Sequence, residues 1–340
     1  MLGKAFTQPG KGQKVSSEEG AKLASLKVQR DKAAQQRDNA REKNAGLQSR
    51  ISFLEPLAMA GWKKFACYED YWADQRLHAP EYLAQRAYET ALWGTREQFL
   101  TTGRCGVCKT DAVFEVDSQW ANQHGPAWRE KMLCRTCGLN TRLRAALQFL
   151  LTVAPPDTKP LVYATEQVTA FYRQLQKAYP NAIGSEFLSD GTPKGEVSPQ
   201  GIRHEDVTAL SFKDESLDAI ATFEVIEHAP DHGSAVKEFG RVLKPGGLFW
   251  ASFPFDLAAK KTQVRATVDA SGIITHHLPP EYHGDPLNAD GCLCYQIFGW
   301  DVMDSLRSAG MTHLDVYTVW NPALGLIGPE LSFVAGRKAF

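Results

Sequence analysis

The chain has 340 residues, 43% hydrophobic and 23% charged, with a formal net charge of −1. This composition suits a soluble globular protein of about two domains and leaves no global positive field to draw it to nucleic acid. No apolar run approaches the ~20 residues needed to span a bilayer, and the N-terminus lacks a basic-then-apolar secretory pattern.

Residues 1–15 are rich in Gly, Lys and Gln and read as a disordered N-terminus. Ser16 and Glu19 have capping-box spacing, which predicts a long charged helix over 16–55. A 3-4 spacing runs through Leu26, Arg30, Ala33, Arg37, Ala40, Asn44, Leu47, Ile51 and Leu54. Its middle positions make a poor coiled-coil seam. We expect a solvated helix, with a weak coiled coil and a homodimer as the alternative. Residues 56–100 are an aromatic-rich helical segment. Trp62, Phe65, Tyr68, Tyr71, Trp72, Tyr82, Tyr88, Trp93 and Phe99 recur at helical spacing, which predicts two short amphipathic helices with the aromatics as core.

Residues 101–150 form a separate module. Cys105 and Cys108, then Cys134 and Cys137, are two C-x-x-C knuckles. Paired knuckles can turn back on one ion and complete a tetrahedral S4 site, so these cysteines are the candidate ligands of a structural zinc ribbon. Four ligands leave no open coordination position. Thiols held this way point to a reducing compartment, and we read the protein as cytoplasmic. Arg129, Lys131, Arg135, Arg142 and Arg144 make the ribbon locally basic, so nucleic-acid docking is one use for it. Bracing the aromatic helices against the last domain is the favoured one.

After Pro155-Pro156, strands and helices alternate through residues 158–340, which predicts an α/β domain with a parallel sheet. Strands are expected at 161–164, 182–186, 217–222, 248–253, 314–319 and 331–336. Helices are expected at 168–179 and 234–243, and in the run from Phe298 to Gly310. Residues 276–285 read as an ordered Pro/Gly-rich loop.

The run Glu224-Val225-Ile226-Glu227-His228, followed by Arg241-Val242-Leu243-Lys244-Pro245-Gly246-Gly247, resembles the class I S-adenosylmethionine (SAM) methyltransferases over roughly residues 158–320. The resemblance implies a Rossmann-like seven-stranded domain with a reversed last hairpin and SAM at the C-terminal ends of its strands. Carried over, it places Glu186 on the ribose hydroxyls, Asp206 and Val207 at the adenine, and Phe223 and Glu224 beneath the cofactor. The family's glycine-rich first loop is here Tyr163-Ala164-Thr165-Glu166-Gln167-Val168-Thr169, without glycine. Thr165, Glu166 and Gln167 are expected to grip the amino-acid end of SAM by side chains. The activity implied is methyl transfer to oxygen of a small molecule or glycan, with nitrogen or carbon less favoured. Histidine is the natural base near neutral pH. The candidates are His228, His277 and His283, with Glu281 and Tyr282 as acceptor contacts. Two other functions remain open: an RNA methyltransferase docked through Arg142 and Arg144, and an inactive methyltransferase-like scaffold.

Overall fold

The computed structural model describes residues 27–30, 32, 35, 61–123, 125–329 and 331–340. The chain divides into two compact units, Met1–Glu55 and Pro56–Phe340. In the first, residues 27–30, 32 and 35 are helical and exposed. The expected disorder of 1–15, most of the helix 16–55 and the coiled-coil dimer lie outside the described residues.

The second unit contains β1 (Trp62–Phe65), β2 (Gln98–Cys105), β3 (Thr110–Asp117), β4 (Met132–Cys134), β5 (Val162–Ala164), β6 (Ile183–Gly184), β7 (Leu217–Phe223) and β8 (Leu243–Ser252). Six short strands follow: β9 (Gln263–Val264), β10 (Ala266–Val268), β11 (Ile274–His276), β12 (Tyr282–His283), β13 (Cys292–Leu293) and β14 (Gln296–Ile297). The last two are β15 (Met311–Val319) and β16 (Ser332–Lys338).

The central sheet has seven strands in the order β1-β15-β16-β8-β7-β5-β6. Strands β6, β5, β7 and β8 are mutually parallel. The pairs β8–β16, β16–β15 and β15–β1 are antiparallel. Strand β7, Leu217–Phe223, is buried at every position but Asp218, as a parallel strand covered on both faces requires. The fold is therefore the expected Rossmann-like α/β arrangement with a reversed final hairpin.

The sheet reaches the seven strands that the resemblance implies by way of a strand the sequence reading did not place. No strand forms between β6 and β7; that stretch holds isolated bridges, Glu186 to His204 and Val197 to Arg203. The seventh strand is instead β1, four residues inside the segment read as helical. Only four residues long, β1 shows no period in sequence, and its pairing with β15 decides its state. Helices do follow it at Tyr68–Leu77 and Ala79–Trp93. The aromatics of this segment are a partial core: Trp62 and Phe65 of β1 are buried, whereas no aromatic of the two helices is, and Tyr88 is exposed.

The ribbon is the antiparallel sheet β2-β3-β4, followed by helix Thr141–Val153. Asn140 caps this helix, its side chain accepting from the Leu143 N–H, as N-cap Asn residues do. The helix lies on the central sheet. Phe149 stacks on Trp250 of β8 at 3.7 Å between centroids, and Trp250 Nε1 donates to the Ala146 carbonyl at 3.1 Å. Arg144, 1% exposed, donates to the carbonyls of Leu324 and Gly325 at 3.0 and 2.8 Å and stands over the Phe114 ring. These contacts hold the helix against the central sheet and against the turn at Leu324 and Gly325.

The segment between β8 and the helix Val302–Ser308 is not a plain loop. Its strands pair as three two-stranded sheets, β10-β11, β12-β13 and β14-β9.

Candidate functional site

The parallel strands end together at Thr165, Glu186 and Glu224, and the candidate residues gather there. The glycine-free loop after β5 is held by its own side chains. Thr165 Oγ1 donates to Thr222 Oγ1 at 2.9 Å. Glu186 Oε1 accepts the backbone N–H groups of Gln167 and Val168 at 2.6 and 2.9 Å. The Gln167 amide donates to the Gly201 carbonyl at 2.9 Å and accepts from the Arg203 N–H at 2.8 Å. Thr169 caps helix Ala170–Ala178 and bonds the Glu166 carboxyl. The glycine that this loop needs lies on the neighbouring strand. A Cβ on Gly184 would stand 2.7 Å from the Glu166 carbonyl oxygen, so only Gly lets the loop pass.

The site is acidic, with two guanidinium groups behind it. Glu224 sits at φ +56°, a left-handed conformation rare for a residue with a side chain. Its Oε1 accepts from Ser252 Oγ at 2.8 Å and is paired with Arg129 of the ribbon. Burial would raise its pKa, but Arg129 and Arg142 overcome that and hold it at about 2. Arg142 in turn donates to Glu130 at 2.7 and 3.2 Å. Glu166 lacks such a close partner, and burial pushes its carboxyl up to about 7. Glu186 is also raised, chiefly by burial. Asp206 Oδ1 accepts from the N–H and hydroxyl of Thr208 at 2.9 and 2.6 Å. Val207 is half-buried beside it, and Phe223 is 5% exposed, edge-on to Phe171 at 5.0 Å. Phe223 is thus a core residue rather than an open platform.

A second cluster lies next along the chain. The 3-10 turn Ile226–His228 is clamped by Gln296, whose amide donates to the carbonyls of Ile226 and Ala229 at 3.1 Å. The Tyr295 N–H donates to the Glu227 carbonyl at 2.9 Å. This aims the Glu227 side chain inward, where it is fully buried and neither carboxylate oxygen has a hydrogen-bond partner. His228 Nε2 and His283 Nδ1 each lie 3.6 Å from Glu227 Oε1, too far for a hydrogen bond. The two imidazole rings meet edge to face at 5.0 Å. His228 Nδ1 faces the Leu293 carbonyl at 2.8 Å. Strand β12 carries His283 and pairs with β13, which carries Leu293. The Cys294 thiol, then the Glu227 carboxylate, hold His283 up at about 10. His277 is not part of this cluster. It is exposed on the far hairpin, its Nε2 3.0 Å from Thr267 Oγ1, so the expected three-histidine grouping reduces to His228 and His283.

The four cysteines of the ribbon converge. Cys105 Sγ lies 4.0 Å from Cys137 Sγ, and Cys108 Sγ lies 3.9 Å from Cys134 Sγ. A tetrahedron with Zn–S bonds of about 2.3 Å has sulfur–sulfur edges near 3.8 Å, so the thiol set fits one zinc ion. The basic side chains expected to serve RNA docking are engaged in the fold. Arg144 is buried on backbone carbonyls and Arg142 on Glu130, so neither offers a free basic face. Sequence reasoning left three contributors without a place in this site: Arg129, read there only as part of a basic ribbon face, Gly184 and Glu227. Glu227 had a signal, a carboxylate beside His228 within an otherwise apolar turn. Arg129 had none, because its partner lies 95 positions away.

With this geometry in place, the comparisons with known proteins can be read. Residues 167–251 match the family model described as a methyltransferase domain. That segment runs from the loop after β5 into β8 and includes Gln167, Glu186, Asp206, Val207, Phe223, Glu224, Glu227 and His228. A 53-residue stretch is 45% identical to a Mycolicibacterium smegmatis protein named as a probable SAM-dependent methyltransferase. The stretch covers 16% of this chain and 21% of that relative. Among solved structures, a SAM-dependent methyltransferase from Mesorhizobium loti is 16% identical, with a TM-score of 0.33 over 53% of this chain and 91% of that one. A Thermotoga maritima protein, described as a SAM-dependent methyltransferase and possible histamine N-methyltransferase, is 18% identical, with a TM-score of 0.34 over 58% and 88%. Residues 167–251 are thus similar to a methyltransferase domain, and the chain spans about a fifth of the length of the curated relative it matches.

Proposed function

We propose that the protein transfers a methyl group from SAM to an oxygen of a small molecule or glycan. The observation that carries this reading is the family match, which falls on the strand ends where Glu186, Asp206 and Glu224 gather. SAM supplies an activated methyl group; the chain's residues bind, orient and handle a proton. Glu186 Oε2 and Asp206 Oδ2 have no hydrogen bond among the described residues, and they are the acceptors for the ribose hydroxyls and the adenine amino group. Glu166, Gln167 and Thr165 shape the amino-acid end, with Glu166 facing the ammonium group. Glu224 forms the floor, with the Phe223 ring packed in the core below it. An oxygen acceptor needs its proton removed, and the Glu227–His228–His283 cluster supports that choice over a nitrogen or carbon acceptor. The His228 Nδ1 contact with the Leu293 carbonyl favours the tautomer that leaves a lone pair on Nε2.

The ribbon cysteines hold a structural zinc, and the fold works in the reducing cytoplasm, where those thiols persist. Zinc would act indirectly on the site by seating Arg129 against Glu224.

Calorimetric titration of zinc-loaded protein with SAM and then S-adenosylhomocysteine tests the reading. Micromolar binding of both is expected. Binding of neither would leave an inert scaffold and overturn the proposal.

A further inference from the structure

A buried carboxylate without a hydrogen-bond donor is costly, by several kcal/mol, unless a cation faces it. Glu227 is such a group: its side chain is fully buried, neither oxygen accepts a hydrogen bond, and its nearest charged neighbours, His228 and His283, stand 3.6 Å away. Around it the structure arranges ligand atoms. Glu227, His228 and His283 each offer one donor, and all three donors lie within 4.8 Å of one another. The two imidazole nitrogens stand 3.6 Å from the same carboxylate oxygen. Two ligands of one ion, each bonded at about 2.1 Å, lie roughly 3.0–3.4 Å apart, so the two carboxylate–imidazole pairs at 3.6 Å close by a few tenths of an ångström, and the imidazole pair by little more than an ångström at most from the 4.8 Å limit.

The outer contacts are those of a metal centre as well. Imidazole ligands are held by a partner on the nitrogen that does not bind. His228 has the Leu293 carbonyl at 2.8 Å on Nδ1, and His283 has the Glu281 carboxylate at 3.3 Å on Nε2. Glu281 is itself anchored by Arg265 at 3.0 Å.

We propose that Glu227, His228 and His283 bind one divalent transition-metal ion, separate from the four-cysteine site, with coordination positions left open toward the acceptor. Two imidazoles and one carboxylate suit Mn(II), Fe(II), Co(II) or Zn(II) rather than a thiolate-seeking ion. Its use by an acceptor hydroxyl rests on the methyl-transfer reading above. There, a hydroxyl reaching an open position would lose its proton to solvent more readily. Its oxygen would bond to the methyl carbon as the carbon–sulfur bond breaks, releasing S-adenosylhomocysteine. The His228 lone pair would then serve the ion instead of the proton.

The test uses full-length, zinc-replete protein without SAM or acceptor. Mn(II) is titrated and its free signal followed by electron paramagnetic resonance; Mn(II) competes poorly for four thiolates. One Mn(II) per chain is expected, with binding lost in E227Q and H283A. Because a core variant can misfold, retained zinc and the thermal melt are read alongside. E281Q gives the second measure, since its side chain is 43% exposed and outside the ligand set. Its affinity is expected to fall about 10- to 100-fold. No bound Mn(II) or Co(II) in the wild type, or equal binding in E227Q and E281Q, overturns the proposal and leaves a His283–Glu227 ion pair. A separate SAM titration keeps the two readings apart: SAM binding without metal binding defeats only the metal site, and metal binding without SAM binding defeats only methyl transfer.

Discussion

Arg129, on the short helix Trp128–Lys131 of the ribbon, pairs with Glu224 at the end of β7. The pair ties the cysteine module to the central sheet at the end of its parallel strands. It also fixes the charge of Glu224, because Arg129 and Arg142 outweigh burial and hold the carboxyl at about 2. Replacing Arg129 by Ala leaves a nearly buried carboxylate facing only Ser252 and Arg142. Loss of a charged hydrogen bond of this kind costs about 2 kcal/mol. Urea unfolding of R129A should show that loss, with NMR titration placing Glu224 above its wild-type value. Unchanged stability and titration would make the pair incidental.

Glu166 predicts a pH dependence of opposite sense. Its folded pKa, about 7, lies above the ordinary carboxyl value. The folded state therefore holds a proton through the window from about 4.5 to 7 that the unfolded chain gives up. Stability falls as pH rises through that window, and the penalty is complete above it, on the order of 3 kcal/mol. E166Q removes the penalty. Thermal melts should find E166Q more stable than wild type at pH 8, with the advantage shrinking toward pH 5. A constant difference across pH would remove Glu166 as the source.

The four cysteines predict one zinc per chain. Chelation, or Cys134→Ser, should remove it and free the ribbon sheet from its helix. A few kcal/mol of lost binding in a unit of this size corresponds to a melting temperature lower by on the order of 10 °C. Elemental analysis and calorimetry read both quantities. A metal-free chain with an unchanged melt would show that the thiols pack without an ion.

Asp206 and Glu186 predict separable losses. Each offers a carboxylate oxygen to SAM, so Asp206→Ala and Glu186→Ala should each weaken SAM about 10- to 100-fold. Glu186 also accepts two backbone N–H groups of the first loop, and Asp206 the N–H and hydroxyl of Thr208, so both variants should also lower stability, Glu186→Ala by more because it frees a whole loop. Calorimetry with SAM and a urea melt distinguish the two. Equal SAM affinity in all three proteins would strip both residues of their assignment.

Much of this site is legible in the sequence. The parallel strands carry continuous apolar runs, and the Lys244-Pro245-Gly246-Gly247 turn stands between strand pairings as a bulge in β8, with Gly246 at φ +76°. The cysteine knuckles announce their own geometry, since two residues between thiols leave room for one turn. The histidines were legible only as candidates. His228 and His277 look alike in sequence, but pairing of β12 with β13 brings His283 to His228, while the β10–β11 hairpin leaves His277 in solvent. The first loop lacks the glycines of the family it resembles; in the fold Gly184 of β6 lets the loop pass and Glu186 just beyond it accepts two of the loop's N–H groups, and nothing local to residues 163–169 reports that.

By itself, then, the sequence determined what local patterning and short spacing control: the alternation of strands and helices, the thiol tetrad and the acidic strand ends. Tertiary structure alone decided which charges meet. Glu224 found Arg129 from another module, Glu227 found His283 from a distant hairpin, and Arg144 was drawn inside onto the carbonyls of Leu324 and Gly325. The physical reason is that burial makes a charge costly until a partner reaches it, and which partner reaches it depends on how the sheets and helices pack.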